Sequence, residues 1–310
     1  MNLRPRQVAA ALLLDALLGE PPAGLHPVVW MGRAILLAER RVLARKSPRA
    51  RLLSGAALAL ALPALSFAVA GAAIRQTPNP LRWPLEVLLL SSALSMRGLA
   101  RAAAAVGREL ERGDLEVARV RVGEFVGRDT EALSEGEAAR AAVESVAENT
   151  SDGVVAPMLY GLLFGAPGAF TYKAINTLDS MVGHREAPYT EFGRASARLD
   201  DLANLVPARL TALLAAAVSG RPAATLSSAR RYGPLTSSPN AGWTEAAFAD
   251  ALGLRLGGTN YYGGVIRKGP TLGDGRTPVP QDIRRAVTLM RRLCTLFVGV
   301  VLLSEVFRRG

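Results

Sequence analysis

Apolar residues in this chain gather in long uncharged runs. Leu52 to Ile74 holds 23 residues without a charge, and Gly153 to Tyr172 holds 20. About 20 apolar residues span a bilayer core as a helix, so both runs are predicted to be membrane segments. Three weaker runs, at 85–106, 205–220 and 286–307, each carry one or more charges. Singly, each also fits a buried helix of a soluble core; as a set they favour further spans. A shorter run, Val8 to Leu18, is interrupted by Asp15.

The segments between these runs are polar. Residues 107–152 are charged and helical in pattern. There Ser134-Glu135-Gly136-Glu137 fits a capping box that opens a helix running to about Asn149. Residues 173–209 are polar, with prolines only at 188 and 207, and 220–285 read as loop-rich from their prolines and glycines. Little regular strand is expected. The predicted class is an all-α, polytopic integral membrane protein, a helical bundle with cytoplasm-facing polar helices and loops. It is read as one membrane-embedded domain over 1–310, with 107–152, 173–204 and 220–285 as its site-forming segments.

Half of the residues are apolar, 5% are aromatic, and the net charge is +11. That charge is topological rather than a nucleic-acid footprint. Arg33, Arg40, Arg41, Arg45, Lys46, Arg49 and Arg51 precede the strongest span, opposed only by Glu39, so 33–51 is placed in the cytoplasm. Arg4 and Arg6 before Val8–Leu14 mimic a signal peptide, but Asp15 interrupts it and the segment is read as retained. Cys294 is the only cysteine, and His26 and His184 the only histidines. Intrachain disulfides and CxxC sites are excluded, and a His-based zinc site is disfavoured. His26, before Pro27, is expected in a loop at the membrane surface. With 33–51 inside, simple counting of spans carries 173–204 to the far side, away from cytosolic nucleotide. Either 153–172 is re-entrant or one weak run is not a crossing; Pro157 and Pro167 suit a broken helix.

Helical projection places Arg140, Glu144, Glu148, Ser151 and Asp152 on one side, opposite Ala138, Ala142, Val143 and Val146. Glu144 and Glu148 are like charges at i,i+4, which repel weakly on an isolated helix; they suit a cation, or a solvated face compensated by Arg140. A second projection groups Lys173, Asn176, Thr177, Asp179 and Ser180. A third groups Arg194, Arg198, Asp200, Asp201 and Asn204, where Arg198 and Asp201 also suit a structural pair. Ionisable groups at membrane depth line cavities or pair with one another, and hard oxygen ligands of this kind fit Mg²⁺ with phosphate. Lys173 is either a snorkelling lysine or a phosphate contact. The glycine-rich stretch Gly257–Gly264 either admits phosphate to its amides or is simply a tight loop. No P-loop motif is present.

In sequence order, further blocks are Asp15-Ala16-Leu17-Leu18-Gly19-Glu20-Pro21 with His26-Pro27-Val28 and Met31-Gly32, then Val126-Gly127-Arg128-Asp129-Thr130. Ala142 through Gly153 and Tyr172 through Gly183 follow. Next come Phe192-Gly193 with Ala197 through Asn204, and finally Ser238-Pro239-Asn240-Ala241-Gly242 with Leu256-Gly257-Gly258. These resemble the adenosylcobinamide-phosphate synthases of cobalamin biosynthesis over nearly the whole chain. Two small departures are Glu20, where Asp is commoner, and Asp250, where Gly is usual.

The resemblance implies an enzyme of the bacterial or archaeal inner membrane that consumes ATP. It would join the carboxylate of the corrinoid adenosylcobyric acid to (R)-1-aminopropan-2-ol or its O-phosphate. On that reading Glu144, Glu148 and Asp152 hold Mg²⁺ with Asp179, Asp200 or Asp201. Lys173 and Arg128 offset phosphate charge, and Asp129 takes the amine proton. Asn176 joins Asp129, Glu144 and Lys173 as a catalytic candidate, and Asn149, Arg198, Asn204 and Asn240 are candidate substrate contacts. Membrane lipid and other late cobalamin-pathway membrane enzymes are the expected partners, and nucleic acid is not. The competing readings are a membrane sensor related to β-lactamase induction proteins, a prenyltransferase using Asn176-x-x-Asp179 and Asp200-Asp201-x-x-Asn204, and a transporter. The intact acidic blocks argue against a sensor, the long 220–285 region against a prenyltransferase, and the lack of paired broken helices against a transporter.

Overall fold

The computed structural model describes residues 4–44, 47–184 and 186–309. The elements in chain order are α1 (Pro5–Leu18), α2 (Pro27–Leu43), α3 (Pro48–Gln76), α4 (Asn79–Ala93), α5 (Met96–Glu111), α6 (Leu115–Gly123) and α7 (Glu135–Thr150). A π turn at Ser151–Val155 leads into α8 (Ala156–Val182), followed by α9 (Arg194–Ala203), α10 (Leu205–Val218), α11 (Pro222–Tyr232) and α12 (Ala241–Leu252). The antiparallel strands β1 (Leu256–Tyr262) and β2 (Val265–Leu272) precede the closing α13 (Pro280–Arg309). Among the described residues, four helical stretches are long and apolar enough to cross a membrane: Pro48–Gln76, Asn79–Glu111, Glu135–Val182 and Pro280–Phe307. The α9–α10 pair, bent by 42°, makes a fifth if counted as one. All five predicted runs are therefore helical, and the protein is an all-α polytopic membrane protein.

Local chemistry sets the helix starts. Ser134 and Glu137 form the expected capping box of α7. Ser47 caps α3 ahead of Pro48. His26 lies just outside the helix, as expected, and there its Nδ1 accepts from Val28 N at 3.3 Å, capping α2, with Pro27 in the first turn. Asp282, fully buried, starts α13 by accepting from Val279 N and from Arg276 and Arg285.

The stretch 220–285 departs from the loop-rich expectation. Its prolines and glycines punctuate elements instead of dissolving them. Pro222 occupies the first turn of α11, left-handed Gly253 ends α12, and Gly263-Gly264, both at positive φ, turn β1 into β2. The predicted helix over 194–209 is likewise two helices.

The chain forms two compact units. The first contains α1–α4, α8 and α9, and the second α5–α7, the π turn, α10–α13 and the β-hairpin. In the second, α5, α7 and α10 pack on α13, and α11 packs on α12. In the first, α8 is the hub that α1, α2, α3, α4 and α9 all touch.

That hub is folded back on itself. Gly165 sits at φ 72° and ψ −165°, outside helical space. Tyr160 and Tyr172 stack with ring centroids 5.1 Å apart, although 12 residues of straight helix would separate them by about 18 Å. A Cβ on Gly168 would lie 2.7 Å from the carbonyl oxygen of Tyr160, and one on Gly161 3.8 Å from the Cβ of Ala169. Ala156 shares a buried cluster with Tyr172 and Ile175. These pairs centre on Gly165, so 156–164 and 166–182 are antiparallel arms.

The tip is closed by an ion pair, Arg4 Nε to Glu86 Oε1 at 3.0 Å, pressed against Gly165, while Arg4 N donates to Leu162 O. A Cβ at Gly165 would meet Glu86 Oε1 at 2.5 Å and Arg4 Nε at 2.9 Å. Gly165→Ala therefore combines a disfavoured φ with a clash, and is expected to destabilise the detergent-solubilised protein by roughly 1–3 kcal/mol. Thermal unfolding measures this; an unchanged midpoint would contradict the tight reversal.

Candidate functional site

The first unit carries a polar face built by α8 and α9. The arm 166–182 presents Tyr172, Lys173, Asn176 and Asp179 along one side, and the end of α9 brings Asp200, Asp201 and Asn204. Tyr172, fully buried, donates its hydroxyl to Asn204 Oδ1 at 2.8 Å. Asn204 Nδ2 in turn donates to Asp200 Oδ2 at 3.0 Å, and Asn176 Nδ2 to Asp200 Oδ1 at 3.4 Å. Asp200 is thus a buried carboxylate oriented by two amides, and Asp179 and Asp201 lie near enough for their charges to act on it. Tyr160 donates to Ala203 O at 3.0 Å, fixing the bend at Asn204. Lys173 and Asp179 are half-buried and Arg198 is exposed.

Glycines let this face assemble. A Cβ on Gly183 would run into Asp179 Oδ1, and one on Gly193 into the carbonyl oxygen of Val182. The backbone beside Asp179 is therefore bare on one side, and Gly193 packs directly against the end of α8.

The second unit holds a different cluster. Buried Glu144 accepts from Arg140 Nη1 at 3.1 Å, from Gly257 N at 2.6 Å, and from Arg128 Nη2. Arg140 also reaches Asn260 Oδ1 and Thr259 O at 3.0 Å and bonds Gly257 O, while Arg128 bonds Asn260 Oδ1. One carboxylate and two guanidiniums thereby lock β1 onto α7. Removing one member of such a buried set typically costs about 3–5 kcal/mol, because the rest are left unpaired.

Asp129 accepts from Gly263 N at 2.9 Å and Gly264 N at 2.7 Å, and its own amide donates to Tyr261 O. These two amides hold its carboxyl below the usual aspartate range. The glycine stretch is thus most of β1 and the tight turn after it, and the two turn amides face a carboxylate of the same chain. Asn149 Nδ2 bonds Ser145 O one turn back. Asn240, buried at the start of α12, accepts from Arg209, which also covers the Trp243 ring at 4.6 Å. Glu148 is exposed, and Asp152 is half-buried on the π turn, a helix irregularity common at functional sites.

The sequence marks Arg140 only as a counter-charge to Glu144, and it does not mark Asn260 or Glu245 as site residues. Asn260 gives no local signal, since its partners lie 120 and 132 residues away. Glu245 had one, as an acid in the otherwise mostly apolar turns of α12. It is half-buried, hemmed in by protein atoms. That desolvation, and then the charges of Glu144 and Glu148, push its carboxyl well above the ordinary glutamate range. The Tyr262 hydroxyl beside the cluster is raised too, first by burial.

Among the described residues, no three His, Cys, Asp or Glu side chains form a group that could hold a metal ion. An all-protein metal cage is not built here. Mg²⁺ usually takes only one or two carboxylates beside phosphate and water oxygens, and Asp179, Asp200 and Asp201 supply that donor chemistry.

Because the folded state favours protonated Glu245, folding stability falls as pH rises from the ordinary glutamate range toward the raised value. Glu245→Gln removes that slope. It should melt above the parent protein in detergent at about pH 8, with the gap closing toward about pH 4, where an ordinary glutamate is itself largely protonated. A gap independent of pH, or of opposite sign, would contradict the assignment.

The family model described as CobD/Cbib protein matches residues 8–290. A Klebsiella pneumoniae protein called cobalamin biosynthesis protein CobD is 44% identical over 305 residues, covering 94% of this chain and 95% of that one. The Synechocystis protein of the same name is 43% identical over 284 residues, covering 88% and 83%. The Salmonella typhi cobalamin biosynthesis protein CbiB is 40% identical over 307 residues, covering 95% of each. No solved structure matches the chain. On the length and continuity of these matches, the chain belongs to the CobD/CbiB family of cobalamin biosynthesis proteins.

Proposed function

We propose that the protein is an ATP-dependent ligase that joins the carboxylate of adenosylcobyric acid to (R)-1-aminopropan-2-ol or its O-phosphate, giving adenosylcobinamide or its phosphate. The observation that carries this reading is the polar face of α8 and α9. A buried, amide-oriented Asp200 stands there with two further aspartates and Lys173, within a membrane chain of a cobalamin biosynthesis family.

A carboxylate is a poor electrophile, so it must be activated. A corrinoid carboxylate oxygen attacks the γ-phosphorus of ATP, and ADP leaves. The amine nitrogen then attacks the acyl carbon, phosphate departs with the C–O electron pair, and the amine proton passes to a carboxylate of the face. Mg²⁺, held by Asp179 with Asp200 or Asp201, would neutralise phosphate charge. Lys173 offsets charge on the transferring phosphoryl group, as cationic clamps do in phosphoryl transfer. Asn176 and Asn204 keep Asp200 in one orientation, and Tyr172 keeps Asn204 in place. Asp129, with a carboxyl held low, is a weak proton acceptor and serves the hairpin instead.

The test is amide formation by purified protein in liposomes, with ATP, Mg²⁺, adenosylcobyric acid and each amine in turn. Asp179→Asn should lower kcat by about 100-fold or more, the scale of losing one electrostatic contact to the transition state. Glu116→Gln, at an exposed position on α6, should leave it unchanged. ATP-independent turnover, or full activity of Asp179→Asn, would overturn the scheme.

A further inference from the structure

The first unit places each level of the α8 hairpin against a landmark on α2 or α3. Near the start of α3, a Cβ on Gly55 would strike the carbonyl oxygen of Phe192. Midway, the Pro63 carbonyl lies 3.5 Å from Thr171 Oγ1. Near its far end, a Cβ on Gly71 would lie 3.8 Å from Pro167 Cγ, two residues past the hairpin tip. Ahead of α3, a Cβ on Gly32 would lie 3.5 Å from Met181 Sδ, and Glu39 accepts from the Tyr189 hydroxyl at 2.7 Å. The loop after α8 therefore lies at the α2 end of α3, beside the basic segment, and the tip lies toward the other end.

Both arms share that polarity. Ala156, where the hairpin begins, packs with Tyr172 and Ile175 of the returning arm. From Gly165 the returning arm runs about 15 Å to Ile175 and about 25 Å to Val182. Glu86, against the tip, lies about 10 Å along α4 from its start at Asn79, on the side where α3 ends. Tip depth and Glu86 depth together match a hydrocarbon core of about 30 Å. The non-helical backbone at Gly165 is buried in protein, the condition under which irregular backbone is tolerated at membrane depth.

We infer that Ala156–Val182 is a re-entrant hairpin that enters and leaves the membrane on the side carrying the basic 33–51 segment. The half-buried Asn176 and Asp179 then face that same side, with the buried Asp200 and Asn204 bonded into the same polar face, and water-borne phosphate substrates reach that face without crossing the bilayer. The topology stands independently of the reaction proposed above.

The inference is tested by placing single cysteines, in a Cys294→Ala background, as Arg49→Cys and Gln76→Cys at the two ends of α3. Ala187→Cys and Arg194→Cys, both at exposed positions, probe the segment after the hairpin. A membrane-impermeant maleimide is applied to intact and to lysed cells. Ala187→Cys and Arg194→Cys should label in the same preparation as Arg49→Cys and opposite to Gln76→Cys. Labelling of both with Gln76→Cys would overturn the inference, as would a marker pair that labels alike, since α3 would then not cross.

Discussion

The arrangement of the first unit depends on one backbone reversal. A helix this apolar would ordinarily continue through the bilayer, because every backbone amide in hydrocarbon needs a partner and the helix supplies it. Gly165 breaks that continuity at an angle open to glycine, and the cost is offset by what the reversal brings together. Tyr160 stacks on Tyr172, glycines 161 and 168 admit the opposite arm, and the Arg4–Glu86 pair closes the tip. Because the arm returns, Asn176 and Asp179 come to lie beside α9, where Asn176 bonds Asp200 and the charge of Asp179 acts on it. Without the reversal the acidic face would have no floor.

The second unit solves a related problem differently. Its charges are neutralised internally, through Glu144 between two arginines and Asp129 on two turn amides. Both sets tie the β-hairpin to the segment from Arg128 to Glu144. Saturated carboxylates of this kind position a structure, whereas in the first unit the charges of Asp179 and Asp201 act on a buried Asp200 that two amides orient. Glu245 is the exception in the second unit, an acid placed among acids, and the folded state favours its neutral form.

Much of this was legible in the sequence where the signal is local. The 52–74 and 153–172 runs, the Ser134–Glu137 box and the i,i+4 pairing of Arg140 with Glu144 follow from periodicity and capping chemistry. Pro157 and Pro167 raised the possibility of a broken helix, though the break falls on Gly165, where positive φ is inexpensive. The resemblance to a cobalamin biosynthesis family likewise rested on contiguous blocks. What escaped was non-local. Asn260 joins Arg128 and Arg140 across more than a hundred residues, and Glu245 gains its character from carboxylates on another helix. In 220–285 the number of prolines and glycines points to loop, while their positions at helix starts, helix ends and one turn decide the structure.

The reversal is tested most directly by a cross-link between its arms. In a Cys294→Ala background, Gly161→Cys with Ala169→Cys places two Cβ atoms 3.8 Å apart, within the range that a disulfide bridges. The nearest obstruction is Cδ2 of the buried Leu90, 2.7 Å from the Gly161 Cβ, which must shift to admit it. Mild oxidation in membranes should close the pair rapidly and leave each single variant unlinked. A continuous helix would hold these positions about 12 Å apart, and failure of the folded double variant to cross-link would contradict the account.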